Sequence, residues 1–218
     1  MRFATYNIHH ASVGGCFPSA RRIARTLAPL DLDVVGLQEV WRFRGLLDQG
    51  SAIAARLGAE SVYGYASTHG PFDQGNAVVS RLRVIRHRIL PLPFERESRS
   101  CLITELDTGD LRINFAVTHL TLERSSRARA IELLARELPR DLPLVLAIDA
   151  NATTVELEPL REWLEVPQHP PLAYPATSPK HAIDHIAYSR HWRLESLEAV
   201  QSKASDHLPG VAGLTLVY

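Results

Sequence analysis

Cysteine, lysine and methionine are scarce in this sequence of 218 residues. The 2 cysteines, Cys16 and Cys101, are too few for a disulfide framework or a zinc site, so we expect reduced thiols and a cytoplasmic location. Lysine occurs only at positions 180 and 203, so nearly all positive charge is arginine. The formal net charge is zero, which excludes a global positive field that would draw the chain to nucleic acid.

Long apolar runs are also absent. No stretch approaches the roughly 20 residues of a membrane span, and "MRFATYNIHH" lacks the apolar segment and cleavage site of a secretory signal. Hydrophobic residues make up 45% and charged residues 22%, an ordinary globular composition. Since no repeat, low-complexity tract or linker divides the sequence, we expect one domain over residues 1–218.

Hydrophobic periodicity predicts about ten or more strands and about four helices. The predicted helices cover residues 18–30, 44–58, 123–138 and 158–165, with Gly58 closing the second. Helices fall between strands, but several strands also follow one another directly. This order favours packed mixed sheets with helices on their outer faces over a simple alternating βα barrel.

Several apolar strands end in, or contain, an acid, an amide or an imidazole. These residues are Asn7, Glu39, His119, Asp149 with Asn151, and Asp184, and the turn "SDH" adds Asp206 and His207. Each alone has a structural explanation, such as a side-chain turn, a helix cap or a solvated acid. Their joint occurrence favours a functional site, because strand ends are where a rigid sheet can hold converging polar groups.

The carboxylate and amide groups are typical of a site for a hard cation. Oxygen ligands without cysteine suit Mg²⁺ or Mn²⁺ better than zinc. Such an ion takes only one or two carboxylates and keeps water and substrate phosphate as its other ligands. Glu39, with Asn7 and Asp206, could supply a sparse site of this kind.

The histidines and the strand acid indicate proton transfer. Asp184 lies in the apolar stretch "AIDHIA" and needs a partner if it is buried. His207, held by Asp184, could take a proton from water, while His119 could stabilise charge on a phosphoryl oxygen. Together with a metal site, these groups indicate metal-assisted hydrolysis of a phosphoester.

Seven short motifs occur in a fixed order between residues 5 and 210. They are "TYNIHH", "VVGLQEV", "GNAVVSR", "VTHL", "AIDAN", "AIDHI" and "SDHLPG". In this order they resemble the endonuclease/exonuclease/phosphatase superfamily, the family with the DNase I-like fold. The resemblance implies a four-layer α/β sandwich of two packed mixed β-sheets with outer helices, and an active site at one edge of the sheets.

The resemblance also implies metal-site roles. Asn7 and Glu39 match the amino-terminal metal-site residues, with Glu39 as the principal ligand, and Asp206 matches an acid near the metal. Asp149 and Asn151 match a motif that positions or activates water and contacts the phosphate.

The remaining implied roles concern the histidines. Asp184 matches the acid that orients His207, the expected general base, and His119 matches a histidine that contacts the scissile phosphate. Whether Asp149 or His207 takes the water's proton stays open at this stage.

The sequence departs from the family pattern in two places. Ile148 and Ala150 replace the Gly and Phe of "GDFN", a change we expect to affect packing rather than chemistry. His9 and His10 follow Asn7, where the exonuclease III branch has an acid at the second position. That branch also replaces the "HL" histidine with an Asn. This sequence keeps His119, so it looks closer to the DNases, phosphatases and sphingomyelinases of the family than to the abasic-site endonucleases.

We therefore predict an enzyme, a phosphoesterase dependent on Mg²⁺ or Mn²⁺, and a phosphodiesterase or nuclease ahead of other types. The alternatives are a phosphatase or phospholipase-type enzyme, and a non-catalytic binding protein on the same fold. The substrate is a nucleic acid, a phospholipid head group or a small phosphorylated molecule. The oligomeric state is open, and a monomer is compatible with the sequence.

Two regions are candidates for substrate recognition. Tyr174, in the Pro-rich segment 167–182, could line the site, although a rigid crossover explains the prolines equally well. Arginines between positions 81 and 99 could track phosphates, but a solvated strand face is the favoured explanation. The sequence shows no obvious aromatic platform for stacking single-stranded bases.

Overall fold

The computed structural model describes residues 1–12, 19–43 and 47–217. Outside these ranges lie Cys16, part of the loop after Asn7, and the positions near residues 18 and 44 where two helices were predicted to begin. The helices are α1 (Ala20–Leu27), α2 (Gln49–Leu57) and α3 (Arg124–Glu137), with 3₁₀ turns at His9–Ala11, Ala28–Leu30 and Glu158–Glu162. Gly58 ends α2 with a φ of 64°, as predicted.

The strands follow the predicted order along the chain. They are β1 (Arg2–Asn7), β2 (Val34–Phe43), β3 (Leu47–Asp48), β4 (Glu60–His69), β5 (Phe72–Ser80), β6 (Arg83–Leu92), β7 (Arg99–Asp107), β8 (Arg112–His119), β9 (Leu144–Asp149), β10 (Leu164–Glu165), β11 (Asp184–Ser189), β12 (Trp192–Ala199) and β13 (Gly210–Leu216). The expected helix over 158–165 is instead a short 3₁₀ turn followed by β10. Pro159 lies at its start, where a missing backbone N–H is tolerated.

The strands form two mixed sheets. The first has the order β12-β13-β1-β2-β5-β4, with β3 paired to β2, and the second has the order β10-β11-β9-β8-β7-β6. The β1–β2 and β8–β9 pairs are parallel, and the other pairs are antiparallel. Each parallel pair is joined by a crossover that contains a helix, α1 in the first sheet and α3 in the second.

Three apolar layers hold these elements together. Phe3, Val34 and Phe115 belong to the core between the sheets, where a Cβ added to Gly36 would lie 2.8 Å from a methyl group of Val117. A second core packs α1 and α2 on the outer face of the first sheet, and a third packs α3 on the second. The predicted four-layer α/β sandwich is confirmed. In the described ranges, no helix has the length and apolarity needed to cross a bilayer.

Candidate active site

Strand register brings three of the predicted residues side by side. His119 is paired with Asp149 across the parallel strands β8 and β9, and Asp149 is paired with Asp184 across the antiparallel strands β9 and β11. Side chains at paired positions project from the same face of a sheet. The three groups therefore meet at one edge of the second sheet, where all are buried.

Glu39 reaches the same place from the first sheet through a β-bulge. The sequence predicted a strand ending at Glu39, but β2 continues to Phe43. Its register with β5 shifts between Leu37 and Val40, and Glu39 has a φ of 55°. A bulge redirects a side chain without ending the strand, and the Glu39 side chain is only 17% exposed.

Asn7, at the end of β1, holds two of the acids in place. Its Nδ2 donates hydrogen bonds to Glu39 Oε1 at 3.1 Å and to Asp149 Oδ2 at 2.8 Å. Its Oδ1 accepts a hydrogen bond from the backbone N–H of His9 at 2.9 Å. Asn7 thus joins the two sheets at the site, and the predicted metal ligation would use the second lone pair of its oxygen.

His207 and Asp184 form a buried pair. Asp184 is the first residue of β11 rather than an internal one. Just before it, the Ile183 carbonyl accepts a hydrogen bond from the N–H of Ala150, the residue that follows β9. His207 Nδ1 donates to Asp184 Oδ2 at 2.8 Å, and its Nε2 lies 3.9 Å from Asp149 Oδ2. The imidazole is thereby oriented with one nitrogen toward the centre of the site.

Burial and neighbouring charge shift the pKa values of this group. Burial alone would lower the pKa of His207, but the hydrogen bond and charge of Asp184, with Asp149 and Asp206 nearby, raise it to about 9. Burial, reinforced by the charge of Asp184, raises the pKa of Asp149 to about 7. Without a metal ion, the two groups titrate near or above neutral pH.

The raised pKa of His207 makes stability depend on pH. Since the folded value, about 9, exceeds the ordinary value of 6.5, the stabilising contribution is complete below pH 6.5 and is lost as pH rises through the folded value. We expect the free energy of unfolding of the metal-free protein to fall across this window, and to fall less in Asp184→Asn. Urea unfolding at several pH values in EDTA measures this, and equal slopes for the two proteins would contradict the pairing.

His119 is surrounded by nitrogen donors. Arg99 Nη1 donates toward His119 Nδ1 at 3.3 Å, and Asn151 Nδ2 lies 3.0 Å from His119 Nε2 while also donating to the carbonyl of Leu120. Burial and the charge of Arg99 hold the pKa of His119 well below its usual value. The imidazole is therefore neutral, and Asn151, with a φ of 48°, fixes it against the turn after β9.

Asp206 and two further histidines complete the rim. His9 Nδ1 lies 3.5 Å from Asp206 Oδ2 and 3.7 Å from Glu39 Oε2. His10 Nε2 lies 3.3 Å from Glu39 Oε2, and burial lowers the pKa of His10. The two predicted metal-site carboxylates thus flank one imidazole, and Asp206 is the more exposed of them.

Tyr174, the predicted substrate-binding residue, lies beside His207. Its ring centroid is 4.7 Å from that of His207, and the Pro-rich segment folds back on itself through a bridge between Tyr174 and His181. The segment also contacts the last loop, because Ala176 N–H donates to the Asp206 carbonyl. Tyr174 therefore lines one side of the His207 imidazole.

Sequence reasoning included Arg99 in the arginine-rich stretch but missed its contact with His119, and it missed a row of rings beside Glu39. His10 stacks on Trp41 at 4.3 Å, Trp41 stacks on Phe72 at 4.6 Å, and Phe43 is tilted against Phe72. The spacing of Trp41 and Phe43, two residues apart in β2, could have indicated that their rings lie on the same face of the strand. The arginines of β6 face solvent, and two of them form ion pairs, Arg83–Asp107 and Arg86–Glu105. This arrangement agrees with a solvated strand face, the explanation that the sequence favoured over phosphate binding.

A sequence profile decides the family. The profile described as "Endonuclease/Exonuclease/phosphatase family" matches residues 4–207. The chain belongs to this family. Its members are in general hydrolytic phosphoesterases that depend on a divalent metal ion. A search of curated proteins found no significant match.

Solved structures agree with the family fold. An endonuclease/exonuclease/phosphatase from Beutenbergia cavernae has a TM-score of 0.84 at 22% identity, covering 99% of this chain and 71% of that one. A mannosyl-6-phosphatase from Bacteroides thetaiotaomicron has a TM-score of 0.82 at 16% identity, covering 99% and 100%. TDP2 from D. rerio, complexed with a single-strand DNA product, has a TM-score of 0.76 at 15% identity, covering 99% and 98%. At these identities the likeness concerns the fold alone.

Potential cation ligands of this family member form two neighbouring groups. Oxygen and nitrogen atoms of Asp149, Asp184 and His207 lie within 4.8 Å of one another. Two of these three already bond to each other, and all three are buried. The second group consists of Glu39 and Asp206, whose side chains are more exposed than those of the first group. The Glu39 carboxylate faces the imidazole nitrogens of His9 and His10.

Proposed function

We propose that the protein is a divalent-metal-dependent hydrolase of phosphoesters, and foremost a phosphodiesterase or nuclease. One observation carries the proposal: the His207–Asp184 pair directs Nε2 toward Asp149, while His119 and Asn151 contact each other on the other side of that acid. Asp149 Oδ2 lies 3.5 Å from His119 Nε2 and 3.9 Å from His207 Nε2. A phosphate placed there would contact both imidazoles.

The donor set fits Mg²⁺ or Mn²⁺. Hard carboxylate oxygens predominate, and Cys101 is buried in the outer core of the second sheet. Glu39 would be the principal ligand, with Asn7 and Asp206 as further members of the site. When bound, such an ion supplies positive charge for the phosphate oxygens and for an attacking water.

Side chains of the protein carry out the proton transfers of the proposed reaction. Neutral His207, held by Asp184, accepts a proton from water as the water oxygen bonds to phosphorus and the bond to the leaving oxygen breaks. The proton then passes to the leaving oxygen, which restores the neutral imidazole. The positive charge of a bound cation would favour this neutral form by lowering the His207 pKa from the value of about 9 in the metal-free site. Asp149, with its pKa of about 7, is the alternative acceptor, and the pH–rate profile of Asp149→Asn distinguishes the two.

The other side chains position the phosphate. Because Nδ1 accepts from Arg99, neutral His119 carries its proton on Nε2 and would donate it to a phosphate oxygen. The Asn151 N–H that now faces His119 Nε2 would turn to the phosphate when it binds, while the other keeps its bond to the Leu120 carbonyl. Tyr174, beside His207, would contact the substrate group nearest the reacting phosphorus.

One domain over residues 1–218 and a cytoplasmic location are also part of the proposal. The family match over residues 4–207 supports the single domain, and the free thiol of Cys101 agrees with a reducing compartment.

The proposed substrate carries a phosphoester group. Nucleic acids, phospholipid head groups and small phosphorylated molecules all present the same reacting group. A phosphatase or phospholipase-type enzyme is therefore the alternative, and a binding protein without catalysis is the third candidate. The intact set of polar residues around Asp149 supports an enzyme over a binding protein.

A substrate panel tests the proposal. We expect the purified protein with Mn²⁺ to hydrolyse at least one of plasmid DNA, abasic-site duplex, inositol phosphate and sphingomyelin, or the generic diester bis-p-nitrophenyl phosphate. EDTA should remove the activity and an excess of Mn²⁺ should restore it, because the carboxylates require the ion. Inactivity on every substrate with either metal would contradict an enzymatic role.

A further inference from the structure

His10 and Glu39 meet through two separate contacts. His10 Nδ1 lies 3.1 Å from the backbone carbonyl oxygen of Glu39, and His10 Nε2 lies 3.3 Å from Glu39 Oε2. A carbonyl oxygen only accepts hydrogen bonds, so Nδ1 carries the proton of a neutral ring. Nε2 then presents a lone pair toward the carboxylate oxygen.

Two lone pairs at this distance repel each other unless a positive species lies between or beside them. An additional ring proton is one such species, and a metal ion is the other. In a typical histidine metal ligand, one ring nitrogen binds the metal while the N–H of the other donates to a backbone carbonyl or a carboxylate.

We propose that His10 Nε2 is a ligand of the cation held by Glu39, which gives the site a mixed imidazole and carboxylate character. Such a site binds Mn²⁺ and other first-row divalent ions in preference to Mg²⁺, which prefers oxygen ligands. The proposal rests on the proposed function only in requiring that a cation binds at Glu39.

The surrounding structure holds the imidazole in this position. Trp41 stacks on the ring, with planes 21° apart. Gln49 Nε2 donates to the His10 carbonyl at 2.6 Å, while its Oε1 accepts from Trp41 N–H at 3.0 Å. Gln49, at the start of α2, therefore ties the turn that carries His10 to the strand that carries Glu39.

Left-handed backbone occurs at Glu39 and at His10 with both its neighbours. His9, His10 and Ala11 have φ values of 44°, 54° and 55°, and Glu39 has a φ of 55°. Left-handed backbone is costly for residues with a Cβ, and clusters of it mark functional sites that the surrounding fold maintains. The strain places an imidazole and a carboxylate face to face.

The test measures metal binding without turnover. Mn²⁺ and Mg²⁺ affinities are determined by calorimetry for the wild type, His10→Asn and the matched control His169→Asn, in which an exposed histidine is replaced. We expect His10→Asn to weaken Mn²⁺ binding by about 10-fold or more, to weaken Mg²⁺ binding less, and His169→Asn to change neither. Thermal melting of the metal-free proteins establishes that each variant is folded.

Pulsed electron paramagnetic resonance of bound Mn²⁺ gives a second readout that does not depend on the variant's stability. We expect ¹⁴N modulation from a coordinated imidazole in the wild type and its loss or reduction in His10→Asn. Wild-type Mn²⁺ without ¹⁴N modulation, or full modulation in His10→Asn, would overturn the assignment.

The outcomes separate this inference from the function. If His10 is instead a protonated partner of Glu39, its removal strengthens metal binding by freeing the carboxylate, which overturns the ligand assignment and leaves the hydrolase proposal intact. If no divalent ion binds the wild type at all, both the assignment and the metal-dependent function fail.

Discussion

We expect His207→Gln to hydrolyse the preferred phosphodiester about 10²–10⁴-fold more slowly than the wild type, the range for loss of a general base. Glutamine retains a donor for Asp184 but cannot take up a proton. His207 is 6% exposed and bonds to Asp184 at 2.8 Å, so the imidazole has a fixed direction into the site. Initial rates with saturating Mn²⁺ measure the effect.

Two comparisons make the His207 result specific. His207→Ala would leave the Asp184 carboxylate buried without its partner, a loss that destabilises proteins by about 3–5 kcal/mol, so glutamine is the better substitution. His169→Gln, at an exposed position, should retain the full rate. A His207→Gln variant that is folded and as fast as the wild type would exclude His207 from proton transfer and leave Asp149 as the acceptor.

We expect Glu39→Gln to lose Mn²⁺ binding and, with it, measurable hydrolysis. Replacing a mere supporting partner of a metal ligand already weakens affinity by about 10–100-fold, and Glu39 is proposed as the principal ligand. The substitution is nearly isosteric, so Asn7 Nδ2 can still bond to the remaining oxygen. Calorimetry with Mn²⁺ and a rate assay at rising Mn²⁺ concentration measure the two effects.

A matched control separates the loss of the Glu39 charge from general effects on the fold. Glu158→Gln removes a carboxylate that is 73% exposed, in the 3₁₀ turn before β10. We expect its metal affinity and rate to equal those of the wild type. Unchanged Mn²⁺ binding in Glu39→Gln would place the ion elsewhere, with the buried group of Asp149, Asp184 and His207 as the next candidate.

Much of this arrangement could be predicted from the sequence because strand ends carry their own signal. An apolar run that stops at a polar residue marks His119 and Asp149, and the parallel pairing of β8 with β9 follows from the helix between them. The layer order follows from the alternation of strands and helices. The family resemblance then assigned roles that no single motif could assign.

The rest depends on contacts between residues far apart in sequence. The bulge at Glu39 is set by the pairing of β2 with β5, and nothing within "VVGLQEV" indicates that the strand continues beyond the acid. The contact of Arg99 with His119 requires the register of β7 with β8. The stack of His10 on Trp41 requires the left-handed turn after β1, which no local sequence rule specifies.

In the proposed reaction, water attacks phosphorus at this site with the help of a divalent metal ion. The most direct measurement is hydrolysis of bis-p-nitrophenyl phosphate by the wild type with Mn²⁺ in ¹⁸O-labelled water, followed by mass spectrometry of both products. We expect ¹⁸O in p-nitrophenyl phosphate, and we expect the release of p-nitrophenol to stop in EDTA and in Glu39→Gln. Label in p-nitrophenol, or equal release in EDTA, would contradict it.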